Sequence, residues 1–165
     1  MPVSPPTTRP VSFERERGVY DIRATRGLAH TVARFDEAAD RSQCIRQVFH
    51  ALAGGGVPIF LIKLHSRAVT FAVEESRVPD VEQCLSPLSL TCKVRPDLAQ
   101  ISIVASSMRD LTGIMVDIAD SIQAAGARLY GVGDSHNSVQ CLIDGPNTDD
   151  AVRELREAFG VGENA

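Results

Sequence analysis

With 165 residues, 44% apolar side chains, no tryptophan and a mean hydropathy near zero, the chain reads as an ordinary globular protein, which argues against disorder and membrane insertion. A net charge of −4 supplies no electrostatic reason to bind nucleic acid, whose phosphates call for a basic face. The basic residues are nearly all arginines, suited to pairing carboxylates; only Lys63 and Lys93 are lysines.

From the amino terminus, Met1 to Pro10 holds four prolines and three Ser/Thr, with no apolar run long enough for a signal peptide or a span, so residues 1–17 read as a disordered tail. Val19 to Ala24 is expected as a strand closed off at Gly27, and Ala29 to Phe35 as a second. Asp40 or Ser42 can cap a helix whose Ile45, Val48, Phe49 and Leu52 share one face, and which must stop at Gly54-Gly55-Gly56. Val57 to Leu64 is nearly all apolar, as a strand covered on both faces would be, and Ala68 to Val73 alternates. A short helix follows from about Pro79 to Leu85, and Leu90 to Val94 is a further strand. Gln100 to Ala105 opens a second series. Its helix places Leu111, Ile114, Met115, Ile118, Ile122 and Ala125 at helical spacing and ends at Gly126. Arg128 to Val132 and Val139 to Ile143 form a strand pair, and a last helix runs from Asn147 or Thr148 to Gly160, with Asp149 and Asp150 favourable to its dipole.

These two series are one pattern repeated. Residues 42–85 overlay residues 112–155 at a constant offset of 70 without a gap, with Gly56 on Gly126, Val69 on Val139, Asp80 on Asp150 and Leu85 on Leu155. Strand-helix-strand-strand-helix-strand is the split βαβ plan, so the fold class is α+β: two ferredoxin-like units, each a four-stranded antiparallel sheet with helices on one face. Adding the offset to Leu90–Val94 lands on a polar, glycine-containing tail instead of a strand. The spare strand Val19–Ala24 can fill that open edge. The units are therefore expected as residues 28–96, and residues 18–27 plus 97–161. A unit of about 70 residues buries too little surface to stand alone, so the two must share a core or an edge.

Candidate chemistry is sparse. Cys44, Cys84, Cys92 and Cys141 lack metal-finger or C-x-x-C spacing and read as small reduced core residues of a cytoplasmic protein. His30, His50 and His65 have no paired spacing for a metal, and His136-Asn137 fits a strand-to-strand turn. Gly54-Gly-Gly and Gly131-Val-Gly133 have neither a following lysine nor phosphate-loop spacing, so helix termination and close strand packing account for them. No nucleophile-base pair or metal cluster is visible, and no cofactor is expected.

The segments Gln100-Ile-Ser-Ile-Val-Ala, Ser107-Met-Arg-Asp-Leu-Thr-Gly113, Ala124-Ala-Gly-Ala-Arg-Leu-Tyr130, Ser135-His-Asn-Ser-Val-Gln-Cys-Leu-Ile-Asp144 and Asp150 to Phe159 resemble the second ACT domain of bacterial aspartate kinases. Gly18-Val-Tyr-Asp-Ile and Ala29-His-Thr-Val-Ala resemble the entry to that enzyme's tandem ACT region. The resemblance covers about residues 18–161. It implies a regulatory module without the kinase domain, whose ACT units pair and bind an amino acid, commonly lysine or threonine, at their interface. It also implies that the segment before the first unit completes the second unit's sheet.

Residue by residue, the ligand loop of the second unit would be Met108, Arg109, Asp110, Thr112, Gly113 and Ile114, with Thr112 where the family usually has proline. Arg109 and Asp110 suit a zwitterion clamp or a solvated helix start. Arg128, Leu129, Ser135 and Asn137 complete the set, Arg128 standing where asparagine is usual. In the first unit Asp40 survives, but the family's Pro-Gly is Ser42-Gln43. The polar residues of the next strand are replaced by Pro58, Phe60 and Leu64, with His65 last. That site is either without ligand or retuned to something more apolar. The implied partners are a second copy of the chain and a biosynthetic enzyme, with neither nucleic acid nor membrane; the alternative is a structural dimerisation module that has lost its ligand.

Overall fold

The computed structural model describes residues 18–107 and 112–162. In chain order these form β1 (Val19–Phe35), α1 (Arg41–Gly54), β2 (Phe60–Leu64), β3 (Ala68–Glu74), α2 (Val78–Leu85), β4 (Leu90–Ala105), α3 (Ile114–Ala124), β5 (Leu129–Asp134), β6 (Ser138–Asp144) and α4 (Thr148–Phe159). The anticipated tail, residues 1–17, and Leu111 lie outside the described residues.

The duplication is visible in backbone bonding. Val57 N–H donates to Leu52 O and Ala127 N–H to Ile122 O just past the ends of α1 and α3. His65 N–H donates to Ala68 O and Ser135 N–H to Ser138 O in the two strand-to-strand turns. Single 3-10 turns, Glu75–Arg77 and Gly145–Asn147, lead into α2 and α4.

All six strands form one antiparallel sheet in the order β2-β3-β1-β4-β6-β5. Two expectations are corrected here. Val19–Ala24 and Ala29–Phe35 are one strand, not two closed off at Gly27, and Leu90–Val94 and Gln100–Ala105 are likewise both within β4. The reason is that each long strand absorbs its break as an irregularity: the β1–β4 register shifts between Thr25 and Leu28 and again before His30. Gly27 has φ 72° and Asp97 φ 57° at those points. An extra residue taken up in a strand switches the side-chain alternation without turning the strand over. Ile22, Ile101 and Ile103 therefore face α3 and α4, while Ala29, Ala33, Phe35, Leu90, Cys92 and Val94 face α1 and α2.

The second correction concerns β2, expected from Val57 and covered on both faces. It starts at Phe60 and is an edge strand, with Ile62 45% and Leu64 51% exposed. Pro58 has no N–H to give a ladder, and Leu61 at φ 50° breaks the register between Phe60 and Lys63.

Three cores result. Val48 and Leu52 of α1 and Val81 and Leu85 of α2 cover Val69, Phe71 and Val73 of β3. Ile114, Ile118 and Ile122 of α3 and Ala151 and Leu155 of α4 cover Val139, Cys141 and Ile143 of β6. On the other face of the curled sheet, Leu28, Ala72, Leu98 and Leu142 join Phe60 and Leu61 of β2 to Tyr130 of β5. Burial of Cys141 pushes its thiol up to about 12.

Two local features set measurable stabilities. The Thr31 hydroxyl is fully buried beneath the first helical layer and finds no hydrogen-bond partner among the described residues. Removing an unsatisfied buried hydroxyl while keeping the shape relieves its desolvation, so Thr31→Val should raise stability by about 1 kcal/mol in urea unfolding. Gly145 is buried where a Cβ would lie 2.6 Å from Asp97 Oδ1 and 2.8 Å from Asp97 O. Gly145→Ala should therefore destabilise by about 1–3 kcal/mol in the same measurement.

Candidate ligand-binding site

β5 runs parallel to β4, its neighbour but one, so its end lies at the same end of the sheet as the loop entering α3. There a cavity of about 640 Å³ is lined by Ile114 and Met115 of α3, Val132 and Asp134 of β5, Ser135 and His136 of the turn, and Val139 of β6. Gly113 precedes α3 with φ 81° and, among the described residues, no side chain caps the helix. The first turn therefore offers backbone N–H groups, and an electropositive end, to the mouth of the cavity. Asp134 is exposed at the opposite wall. The turn is held by the Ser135 hydroxyl, which donates to Asn137 Oδ1 at 3.2 Å and lies 2.8 Å from the Ser138 hydroxyl, and by Ala105 N–H donating to Asn137 O at 2.9 Å.

Of the residues expected to bind, Ile114 and Ser135 line this cavity, Gly113 and Thr112 adjoin it, and Asn137 orders its turn. Arg128 and Leu129 are not brought to it. They lie at the far end of β5, Arg128 just before it, where Arg128 N–H donates to Asp144 Oδ2 at 2.7 Å and Leu129 pairs with Ile143. Met108, Arg109 and Asp110 lie outside the described residues. Met115, Val132, Asp134 and Val139 were missed, although the 70-residue offset would have drawn attention to Asp134, which replaces Leu64 of the first unit.

In the first unit Asp40 is engaged as the cap of α1, accepting from Gln43 N–H at 2.9 Å. Asp40 and Gln43 line a separate cavity of about 340 Å³ between α1 and Pro87–Leu90; Ser42 is not among its lining residues. The gap equivalent to the second unit's cavity is crossed by Arg41, whose Nε donates to His65 O at 2.9 Å. Among the described residues no cluster of three or more His, Cys, Asp or Glu is placed to hold a metal ion, and no helix is long and apolar enough to cross a membrane.

No family model matches the chain. It is 26% identical over 172 residues to the aspartokinase of Geobacillus stearothermophilus, an alignment covering 93% of this chain and 42% of that protein. The ligand-free regulatory subunit of aspartate kinase from Thermus thermophilus superposes with a TM-score of 0.76 at 20% identity, over 87% of this chain and 99% of that one. The fold is that of an aspartate kinase regulatory region. E. coli aspartokinase III in complex with lysine and aspartate matches with a TM-score of 0.70 at 13% identity, over 88% of this chain and 34% of that one. The chain thus spans less than half of the curated aspartokinase it matches and nearly all of the Thermus regulatory subunit.

Within this regulatory-region fold, Gly113 is the residue with least latitude in the site. A side chain at φ 81° is strained whatever space surrounds it. Gly113→Ala should lower stability by about 1–2 kcal/mol in chemical denaturation, with the rest of the sheet unaltered by circular dichroism.

Proposed function

We propose that this chain is a non-catalytic regulatory module, organised as an ACT-like unit of residues 28–96 and a second of residues 18–27 plus 97–161, that senses a small amino acid in its second unit. The observation that carries the proposal is the cavity between the start of α3 and the β5–β6 turn. It sets two complementary charges at opposite walls. The uncapped helix start suits an α-carboxylate, Asp134 suits an α-ammonium, and Met115, Val132 and Val139 suit an aliphatic stem. Lysine, bound in the E. coli relative, and threonine are the first ligands to test. The partner is a kinase chain of the aspartokinase type, and a second copy of this chain, meeting through ACT units, completes the assembly.

A structural dimerisation module without ligand is the alternative. Arg41 closing the first unit and the exposed Ile62 and Leu64 on edge strand β2 favour it.

Thermal-shift screening against the common amino acids separates the two. A ligand at about a hundred times its dissociation constant stabilises by about 2.7 kcal/mol, which is a clear rise in melting temperature. The rise should disappear in Asp134→Asn while the unliganded melting temperature stays unchanged. A flat response to every amino acid, with dimers retained in sedimentation, would leave only the structural module.

A further inference from the structure

The helix-free face of the first unit, beyond the small core that holds Ala72, carries an unusual charge pattern. Residues directly across an antiparallel ladder point to the same side, so the register lays this face out as a grid. One cross-strand row is Lys63, Thr70, Val32 and Lys93, from β2 through β3 and β1 to β4. The row on one side is Phe60, Ala72, His30 and Arg95; the row on the other is Ala68, Arg34 and Thr91. Ala72 belongs to the core away from the helices, which fixes the side on which the grid lies. Both lysines of the protein thus fall in a single row, flanked by Arg34, Arg95 and His30, in a chain whose net charge is −4.

Arg34, Lys63, Lys93 and Arg95 are exposed. Among the described residues one ion pair reaches this face, Arg67 with Glu37 at 2.9 Å, and none involves Arg34, Lys63, Lys93 or Arg95. Arg95 lies over the Tyr130 ring at 5.0 Å and near enough to Asp144 to help lower its pKa; Asp144 and Glu74 share the next cross-strand row, across Leu28 and Leu98, and put the carboxylates of this face beyond the Arg95 row. Like charges set across neighbouring strands repel, an arrangement that an anionic ligand would relieve. His30 has its pKa lowered chiefly by burial, with smaller contributions from Arg95 and His65.

This face is also concave. A depression of about 320 Å³ has Val32, Ala68 and Thr70 as its floor and Arg34, His65, Ser66 and Arg67 as its rim. With strands about 4.8 Å apart, the backbones of the Lys63–Lys93 row span about 14 Å, a distance that the long lysine stems can shorten by leaning toward its centre.

We propose that this basin binds a small, multiply charged anion of the phosphate-ester or pyrophosphate class. Arg34, His65 and Arg67 line the basin, and Lys63 and Lys93 stand at the two ends of the cross-strand row that contributes Thr70 and Val32 to its lining. It is on a different unit from the amino-acid cavity, so either site can fail without the other.

Inorganic pyrophosphate titrated into the full chain at low ionic strength, followed by calorimetry and by amide shifts of residues 30–34 and 68–72, tests it. Saturable binding is expected, weakened by salt and by on the order of tenfold in Lys63→Gln/Lys93→Gln. Both lysines are exposed, and Arg34→Gln, on a different row, should weaken binding independently. The proposal is overturned by absence of saturation up to about 10 mM, which sets affinity below any specific site. Unchanged affinity in both variants overturns it too, as does a single-stranded oligonucleotide binding more tightly than pyrophosphate through the same lysines.

Discussion

The two central strands can each serve two helical layers only because both are interrupted at the same level of the sheet. β1 takes up its extra residue near Arg26-Gly27 and β4 near Pro96-Asp97. Asp97 stands between the two equivalent turns of the repeat. Its N–H donates to Glu75 Oε2 at 3.0 Å in the first unit, and its carbonyl and carboxylate press against Gly145 in the second. Arg26 closes the arrangement, donating to Gly145 O at 3.0 Å and pairing with Asp149 at 2.5 Å. Thr148 donates to the same carbonyl at 2.6 Å and so ties the start of α4 to it. Without this junction the alternation of β1 and β4 would carry one of the two apolar sets onto the wrong face.

Much of this architecture was legible because each element carried its own period. The helices announced themselves by spacing and by Gly56 and Gly126, and the repeat followed from those markers. What stayed hidden was continuity. Gly27 and Pro96 look like punctuation in a sequence, and nothing local distinguishes a strand that ends from one that bends and continues. The register is set by partners far along the chain, Thr25 against Gln100 and His30 against Arg95. β2 deceived in the opposite direction: its apolar run suggested full cover, whereas edge position depends on sheet order, which composition does not encode.

The candidate site was legible in part for a similar reason. The loop before α3 and Ser135 could be placed from pattern and resemblance, but Asp134 and Val132 approach it only through the pairing of β5 with β6. Arg128 and Leu129 were near Ser135 in sequence yet lie at the other end of the strand. The two units have diverged around an identical frame. Where the second presents Asp134 beside an uncapped helix, the first presents Leu64, a helix capped by Asp40 and the Arg41 bond to His65.

The pairing of Val19 with Ala105 also orders events in time. During synthesis the amino-terminal half of β1 emerges long before its partner in β4 exists, while the half from Leu28 onward can fold with β3 much sooner. Of the six strands, the segment made first is thus among the last to find its place, and until then it is a bare template for pairing with another nascent copy. Exchange of this strand between chains is the characteristic assembly error that such a layout invites.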